Sequence, residues 1–328
     1  MNAPTSGGGK AGEYTKESGF LAFYEICDTL KKDAVYMWDD EQKVPYAVDG
    51  DQWVGFDDEK SIRNKMKWLL ENEYAGAMVW TIDMDDFSGA CTGKKYPLIG
   101  VMGEELFGKP KQSSNWEEIV KSSILRPVKK TIPNAETNVI PSKNDVITAS
   151  TNTITEIPDT AETNARIVCY YTNWSYKRPG IGKFEPENID PNLCTHIIYA
   201  FAHLNNDYKI VATEEADEST GNQKGLYERV LALKTKNPNL KILLAVGGWM
   251  MGPTLFRTLT ENAYRQTLFT FNAIEYLRKK GFDGLDVCWE FPRGNEDKER
   301  YTKLIKVINL NIVLKANKNL KMISFVRN

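Results

Sequence analysis

Phe282-Asp283-Gly284-Leu285-Asp286-Val287-Cys288-Trp289-Glu290-Phe291-Pro292 sets three acids into an otherwise apolar, β-forming run. Side chains on a strand alternate between faces. Asp286, Cys288 and Glu290 therefore point one way, and Leu285, Val287 and Trp289 the other. In a parallel barrel the first set points inward and the second meets covering helices. Glu290 then falls at the C-terminal end of the strand, where active sites of that architecture lie. Buried acids are costly unless they are paired or used. The run predicts a functional strand, with Glu290 placed to protonate a leaving oxygen.

The flanking sequence supports a βα architecture. Short apolar runs rich in β-formers occur at 167–171, 196–201 and 240–246, the last closed by Gly247-Gly248, and 320–326 is a further candidate. Between the third run and the acidic strand, Tyr264, Leu268, Phe271, Ile274 and Leu277 predict one helix face, with basic residues in its last turn and Gly281 as its stop. A second helix is expected from Tyr301, Leu304, Ile305, Ile308 and Ile312. Strand and helix in alternation imply a parallel sheet or barrel.

Residues 10–110 repeat this pattern in shorter form. Residues 53–56 read as a strand, and Asp57 and Asp58 as acceptors at a helix start. Ile62, Met66, Leu69 and Leu70 form that helix's apolar face, with Gly76 as its end, and 77–82 is a buried strand running into Asp83, Asp85 and Asp86. Residues 111–165 are rich in Ser, Thr, Asn, Pro, Lys and Glu and hold one aromatic, Trp116. They read as a disordered linker.

Charge and composition narrow the function. In 328 residues, 42 basic and 44 acidic side chains leave a net charge of -2, which argues against a nucleic-acid partner. No apolar run approaches the roughly 20 residues that cross a bilayer, so no membrane partner is expected. His196 and His203 flank an apolar strand and read as ordinary strand-end residues; neither a metal nor a cofactor is expected. Met1-Asn2-Ala3-Pro4, followed by Gly7-Gly8-Gly9, lacks the basic and apolar parts of a secretory signal and reads as an internal loop. The five cysteines include no CxxC pair. Their spacing leaves open two disulfides with one thiol over, or five reduced thiols.

These motifs resemble glycoside hydrolase family 18, the chitinases and chitinase-like lectins. The hallmark of that family is Asp-Gly-x-Asp-x-Asp-x-Glu on the fourth barrel strand. Asp283, Gly284, Asp286 and Glu290 match it, and Cys288 stands where the family has its third aspartate. Cys169-Tyr170-Tyr171-Thr172-Asn173-Trp174 resembles the first strand and loop, and Cys194-Thr195-His196-Ile197-Ile198-Tyr199-Ala200-Phe201-Ala202 the second strand. Leu243-Leu244-Ala245-Val246-Gly247-Gly248-Trp249 resembles the third, with Ala245 where a serine is common. Gly19-Phe20-Leu21-Ala22-Phe23-Tyr24-Glu25-Ile26-Cys27 resembles the end of the family's α+β insertion subdomain. Val44-Pro45-Tyr46-Ala47 and Trp53-Val54-Gly55-Phe56-Asp57-Asp58 resemble the run into strand seven. Ala77-Met78-Val79-Trp80-Thr81-Ile82-Asp83-Met84-Asp85-Asp86-Phe87 resembles strand eight.

The resemblance implies an incomplete (β/α)₈ barrel. Residues 1–110 would be the C-terminal part of one barrel, with strands seven and eight and a remnant of the insertion subdomain. Residues 111–165 would be the linker, and residues 166–328 the N-terminal part of a second barrel, strands one to four with a candidate fifth. This is the order expected of a window on a tandem chitinase. It also implies an extracellular protein with disulfides Cys169–Cys194 and Cys27–Cys91. Its partner would be chitin or chito-oligosaccharides, held in a cleft lined by Tyr170, Phe201, Trp249 and Trp80, since aromatic rings match the apolar faces of pyranoses.

Hydrolysis in the family is substrate-assisted. By resemblance, Glu290 would donate the proton and the substrate's acetamide would attack C1. Asp286 and its neighbour would orient that acetamide, and Asp283 belongs to the same motif. A thiol is a weak acceptor, so Cys288 is expected to lower turnover by roughly 10²–10³-fold. The family's strand six, with a tyrosine that holds the acetamide, has no counterpart here. A lectin-like chitin-binding module and a non-functional fragment are the alternative readings. Strand eight pairs with strand one in a complete barrel. The two regions are therefore expected to dock as a monomeric, circularly permuted, incomplete barrel, with 77–82 beside 167–171 and Trp80 facing the cleft of Glu290. The competing picture is two half-modules on a tether.

Overall fold

Local sequence signals set the helix ends in both regions. The computed structural model describes residues 5–126, 165–315 and 321–322. In the first region, α1 (Phe23–Lys32) leads into a meander of β1 (Val35–Asp39), β2 (Val44–Asp49) and β3 (Gln52–Gly55). Next come α2 (Glu59–Glu71), β4 (Gly76–Val79), α3 (Pro97–Phe107) and α4 (Trp116–Ile124). Asp58 starts α2 by accepting the Ser61 amide at 2.8 Å. The second region opens with β5 (Arg166–Thr172), β6 (His196–Leu204), β7 (Ile210–Ala212), α5 (Leu226–Leu231) and β8 (Lys241–Gly247). It continues with α6 (Thr254–Thr260), α7 (Ala263–Lys280), β9 (Gly284–Cys288), α8 (Gly294–Lys315) and β10 (Lys321–Met322). Asn262 caps the start of α7, and Gly281, at φ 95°, ends it by returning its N–H to Leu277.

One sheet joins the two regions. Its order is β10-β9-β8-β6-β5-β4 with every pair parallel, and β7 adds antiparallel to β6. These parallel strands are an incomplete (β/α)₈ barrel, which closes with eight. Strands β5, β6, β8 and β9 are buried almost throughout, as covering on both faces requires. Ile242, Leu244, Val246, Leu285, Val287 and Trp289 pack outward in the main core shared with the helices. Val168, Tyr170, Ile198, Ala200, Leu243, Ala245 and Cys288 form a smaller inner cluster.

The seam is β4 on β5, with Gly76 opposite Arg166, Ala77 opposite Ile167 and Val79 opposite Cys169. Gly76 does not end α2; that helix stops at Glu71, and Gly76 opens β4. It sits at φ 147°, and a Cβ there would lie 2.0 Å from the Arg166 carbonyl oxygen. Further contacts lock the seam. Thr172 donates to Asp83 at 3.0 Å, Arg178 pairs with Asp83 at 2.5 Å, and the Phe87 and Phe184 rings meet edge to face at 4.7 Å.

Three expectations need correction. First, residues 53–56 do not supply a second barrel strand: β3 pairs antiparallel with β2 in a separate three-stranded sheet. Trp53, Gly55 and their cross-strand partners leave one sheet face toward solvent, whereas a barrel strand is covered on both. Second, the polar stretch is not unstructured from residue 111. Trp116, Ile119 and Ser123 are buried at helical spacing in α4. The Trp116 ring packs 5.0 Å from Phe23, and its Nε1 donates to Asp58 at 3.3 Å. The rest of the expected linker, 127–164, and most of 320–326 lie outside the described residues. Third, α7 turns Gln266, Phe269, Thr270, Ala273, Ile274 and Leu277 to the core, while Tyr264 and Phe271 are exposed. The Thr270 hydroxyl donates to the Gln266 carbonyl at 2.7 Å and the Gln266 amide to Thr260 O at 3.1 Å, so two polar residues are tolerated inside. Leu70 is likewise exposed on α2, beside buried Ile62, Met66 and Leu69.

Gly76→Ala is expected to lose about 2 kcal/mol more stability than Gly93→Ala in urea denaturation. Both glycines have positive φ, but position 93 has nothing within 4 Å of a new Cβ. Equal losses would show that the close approach of β4 to β5 carries no stability.

Candidate functional site

β9 delivers the acidic motif to the inner face of the sheet. Asp286 is fully buried and accepts the Tyr170 hydroxyl at 2.9 Å across the sheet. Cys288, two residues on, is buried and donates its S–H to Glu290 Oε1 at 3.3 Å. Glu290 follows at the strand's C-terminal end, partly exposed. Asp286, Cys288 and Glu290 thus follow one another along one line, as the alternation requires. Asp283 does not join them. It precedes β9, where its carboxylate takes Lys234 Nζ at 2.7 and 2.8 Å and the Ile242 amide at 2.8 Å. Being at the opposite end of the strand, it ties β9 to β8 and to the segment after α5, and touches no reacting group.

Aromatic rings from both regions gather at the C-terminal strand ends. Trp80, just beyond β4, lies 5.2 Å from the Tyr170 ring, 5.8 Å from Phe201 and 6.4 Å from Trp174. Trp174 and Phe201 are stacked at 6.1 Å. Trp80 and Trp174 keep 39% and 37% of their surface exposed, so the group forms a wall open to ligand. Tyr170, Phe201 and Trp80 are therefore brought together with Asp286. Trp249 stands apart: it is 71% exposed and meets Phe291 at 6.3 Å. Gly248 shapes this rim, because a Cβ there would lie 2.7 Å from the Phe201 ring.

Polar networks hold these strand ends. Burial is the largest influence on Arg178 and opposes its charge, but Asp83 and Tyr24 together outweigh it and hold the guanidinium above its usual range. Behind β6, fully buried Asp217 accepts the Tyr199 hydroxyl, the Asn173 amide at 3.0 Å and the Thr213 and Glu214 backbone amides. Burial raises the Asp217 carboxyl while those donors pull it down. Burial also lowers His203, and His196 is buried beside the Thr195 hydroxyl, 2.8 Å from Nδ1. Sequence reading passed over Trp174 as a wall residue and missed Arg178 and Asp217. Trp174 closes the first-strand motif and could have been found as a strand-end aromatic; Arg178 and Asp217 stand in loops without periodicity.

A family model for glycosyl hydrolases family 18 matches residues 2–85 and 166–327, well over half of the chain. The chain belongs to glycosyl hydrolase family 18. Probable chitinase 10 of Drosophila melanogaster is 31% identical over 318 residues, which cover 89% of this chain and 14% of the fly protein. Chitotriosidase-1 of Mus musculus is 47% identical over 146 residues, 43% of this chain and 30% of the mouse protein. The solved structure of human YKL-39, described as a pseudo-chitinase with retained chitooligosaccharide binding, superposes with a TM-score of 0.44 at 36% identity over 49% of this chain and 43% of that one. The chain therefore spans less than a third of the length of these two curated relatives.

Within this family 18 framework the cysteines divide cleanly. Cys27 bonds Cys91 and Cys169 bonds Cys194, while Cys288 stays a thiol. The first bridge pins α1 to the loop before α3, and the second ties β5 to the entry of β6. Peptide mapping of the native, oxidised protein is expected to return these two bridges and one alkylatable thiol at Cys288. Removing either bridge should cost a typical ~2–4 kcal/mol. A disulfide involving Cys288 would contradict its place on the inner face of β9.

Proposed function

We propose that this family 18 protein binds β-1,4-linked N-acetylglucosamine chains in the cleft between Trp80 and Glu290, and that it hydrolyses them slowly at best. The observation that carries the second half is Cys288 donating to Glu290 at 3.3 Å, where the family motif places a carboxylate. In substrate-assisted hydrolysis Glu290 protonates the glycosidic oxygen, and the substrate's acetamide oxygen attacks C1. The acetamide N–H needs an anionic acceptor as positive charge develops on the ring that forms. Asp286 can supply one, held in place by the Tyr170 hydroxyl. A neutral thiol supplies neither charge nor a strong acceptor. It also occupies an oxygen of Glu290, the group that must deliver the proton.

Binding asks less of the site than turnover does. The exposed faces of Trp80 and Trp174 can stack on pyranose rings whether or not the acid pair is intact. The relatives' names, which refer to chitinases, point to the same polymer. The single alignment to a far longer fly protein supports the reading of this chain as a window on a tandem chitinase. Two disulfides favour an extracellular setting.

Binding of N-acetylchitotetraose by calorimetry and hydrolysis of a chromogenic oligomer, measured on one preparation, test the reading. In a barrel completed with its missing strands, Cys288→Asp is expected to raise hydrolysis by more than about tenfold by restoring the second carboxylate. Glu290→Gln should abolish residual turnover and leave binding within about 1 kcal/mol. Equal rates for wild type and Cys288→Asp would show that position 288 is not the defect. Hydrolysis surviving in Glu290→Gln would remove Glu290 from the acid role.

A further inference from the structure

Five of the eight tryptophans are well exposed: Trp53, Trp68, Trp80, Trp174 and Trp249. Large rings left in water are costly, and they mark surfaces that bind. Trp80, Trp174 and Trp249 stand near the C-terminal ends of the parallel strands. Trp53, 65% exposed, does not: it lies in the three-stranded meander, whose sheet is separate from the parallel one.

We propose that the Tyr46–Trp53 face of this meander is a second saccharide site, a flat platform that adsorbs a neutral N-acetylhexosamine polymer outside the cleft. It rests on the reading of the protein as a chitin binder. Cross-strand register sets the platform. Ala47 pairs with Val54 and faces the core, so Tyr46 with its partner Gly55, and Val48 with its partner Trp53, face the opposite way. The indole lies back along its own strand over Gly55, where a Cβ would come within 2.8 Å of the ring. It is stacked on Tyr46, with centroids 6.0 Å apart and planes 30° apart. One face of the indole is thereby seated and the other is presented to solvent in a fixed orientation. Little rotamer freedom remains to be lost when a sugar ring lands on it.

The surroundings choose the ligand. A recess of about 790 Å³ beside the pair is lined by Trp38, Asp40, Gln42, Tyr46, Trp53 and Asp57, among others. Its charged lining is Asp39, Asp40 and Asp57, with lysines close by: Lys65 holds both oxygens of Asp57 at 2.6 Å, Lys43 lies 3.9 Å from Asp40, and Lys60 lies 3.7 Å over the Trp38 ring. Balanced charge beside a flat ring does not suit an ionic partner. A neutral pyranose chain does fit, with apolar C–H faces for the ring and hydroxyl and amide N–H groups for the Asp40 and Gln42 side chains.

Retention on insoluble chitin and affinity for soluble N-acetylchitotetraose, measured in parallel on the full chain, separate this platform from the cleft. Trp53→Ala is expected to lower retention on the solid by about fivefold or more while leaving tetramer affinity within about twofold. Trp53→Phe should restore much of the loss, and Trp80→Ala should weaken tetramer binding instead. Should Trp53→Ala fail to fold, as read from its melting curve, Tyr46→Ala carries the same comparison. Unchanged retention in folded Trp53→Ala or Tyr46→Ala, with tetramer binding intact, overturns the platform alone. A wild type that binds neither form overturns both this site and the cleft reading. A wild-type dimer in sedimentation that Trp53→Ala dissolves would make the face an interface between copies, and would overturn the proposal too.

Discussion

Parallel pairing of β4 with the start of β5 is the contact on which the arrangement of this molecule depends. It joins two stretches separated by more than eighty residues of chain, and it does so through only four residues of β4. Such a short ladder is weak alone. It is reinforced by the Asp83–Arg178 ion pair, by the Phe87–Phe184 ring contact and by the absence of a side chain at Gly76, which lets the two backbones approach. Without the pairing, both partners would present bare edges, and the inner face around Tyr170 would lose its neighbour Trp80.

The ring cluster follows from that seam. Trp80 comes from the first region; Tyr170, Trp174 and Phe201 come from the second. They meet because β4, β5 and β6 are successive strands of one sheet and all end on the same side. The acid line on β9 reaches the same wall through Tyr170, whose hydroxyl meets Asp286 while its ring meets Trp80. Rings and acids therefore share the inner face of one sheet. In the acid line one thiol, Cys288, stands between two carboxylates.

Much of this was legible locally. Four apolar runs became β5, β6, β8 and β9, and Asp58 and Gly281 bound their helices as capping chemistry requires. Alternation on β9 separated Asp286, Cys288 and Glu290 from Leu285, Val287 and Trp289. Where the reading erred, a competing pattern existed in the same residues. On α7 two stripes share helical spacing, and the one with more aromatics lost to the one whose polar members could bond within the helix and to the end of α6. On α4 a polar composition masked a short periodic segment around Trp116. Asp283 shares a motif with Asp286, yet a three-residue offset puts it at the other end of the strand, on Lys234.

By itself, then, the sequence determined the strand and helix types, the side-chain line Asp286–Cys288–Glu290 and the family to which they belong, because these depend on periodicity and on residue chemistry a few positions apart. Only the tertiary structure decided that residues 53–56 would enter a meander instead of the barrel, that Asp283 would serve as a tie, and that Trp80 would meet the Tyr170 ring. Each of those outcomes turns on a partner distant in the chain: Tyr46 for Gly55, Lys234 for Asp283, Tyr170 for Trp80. Local spacing carries no information about which distant surface will be there to bury against.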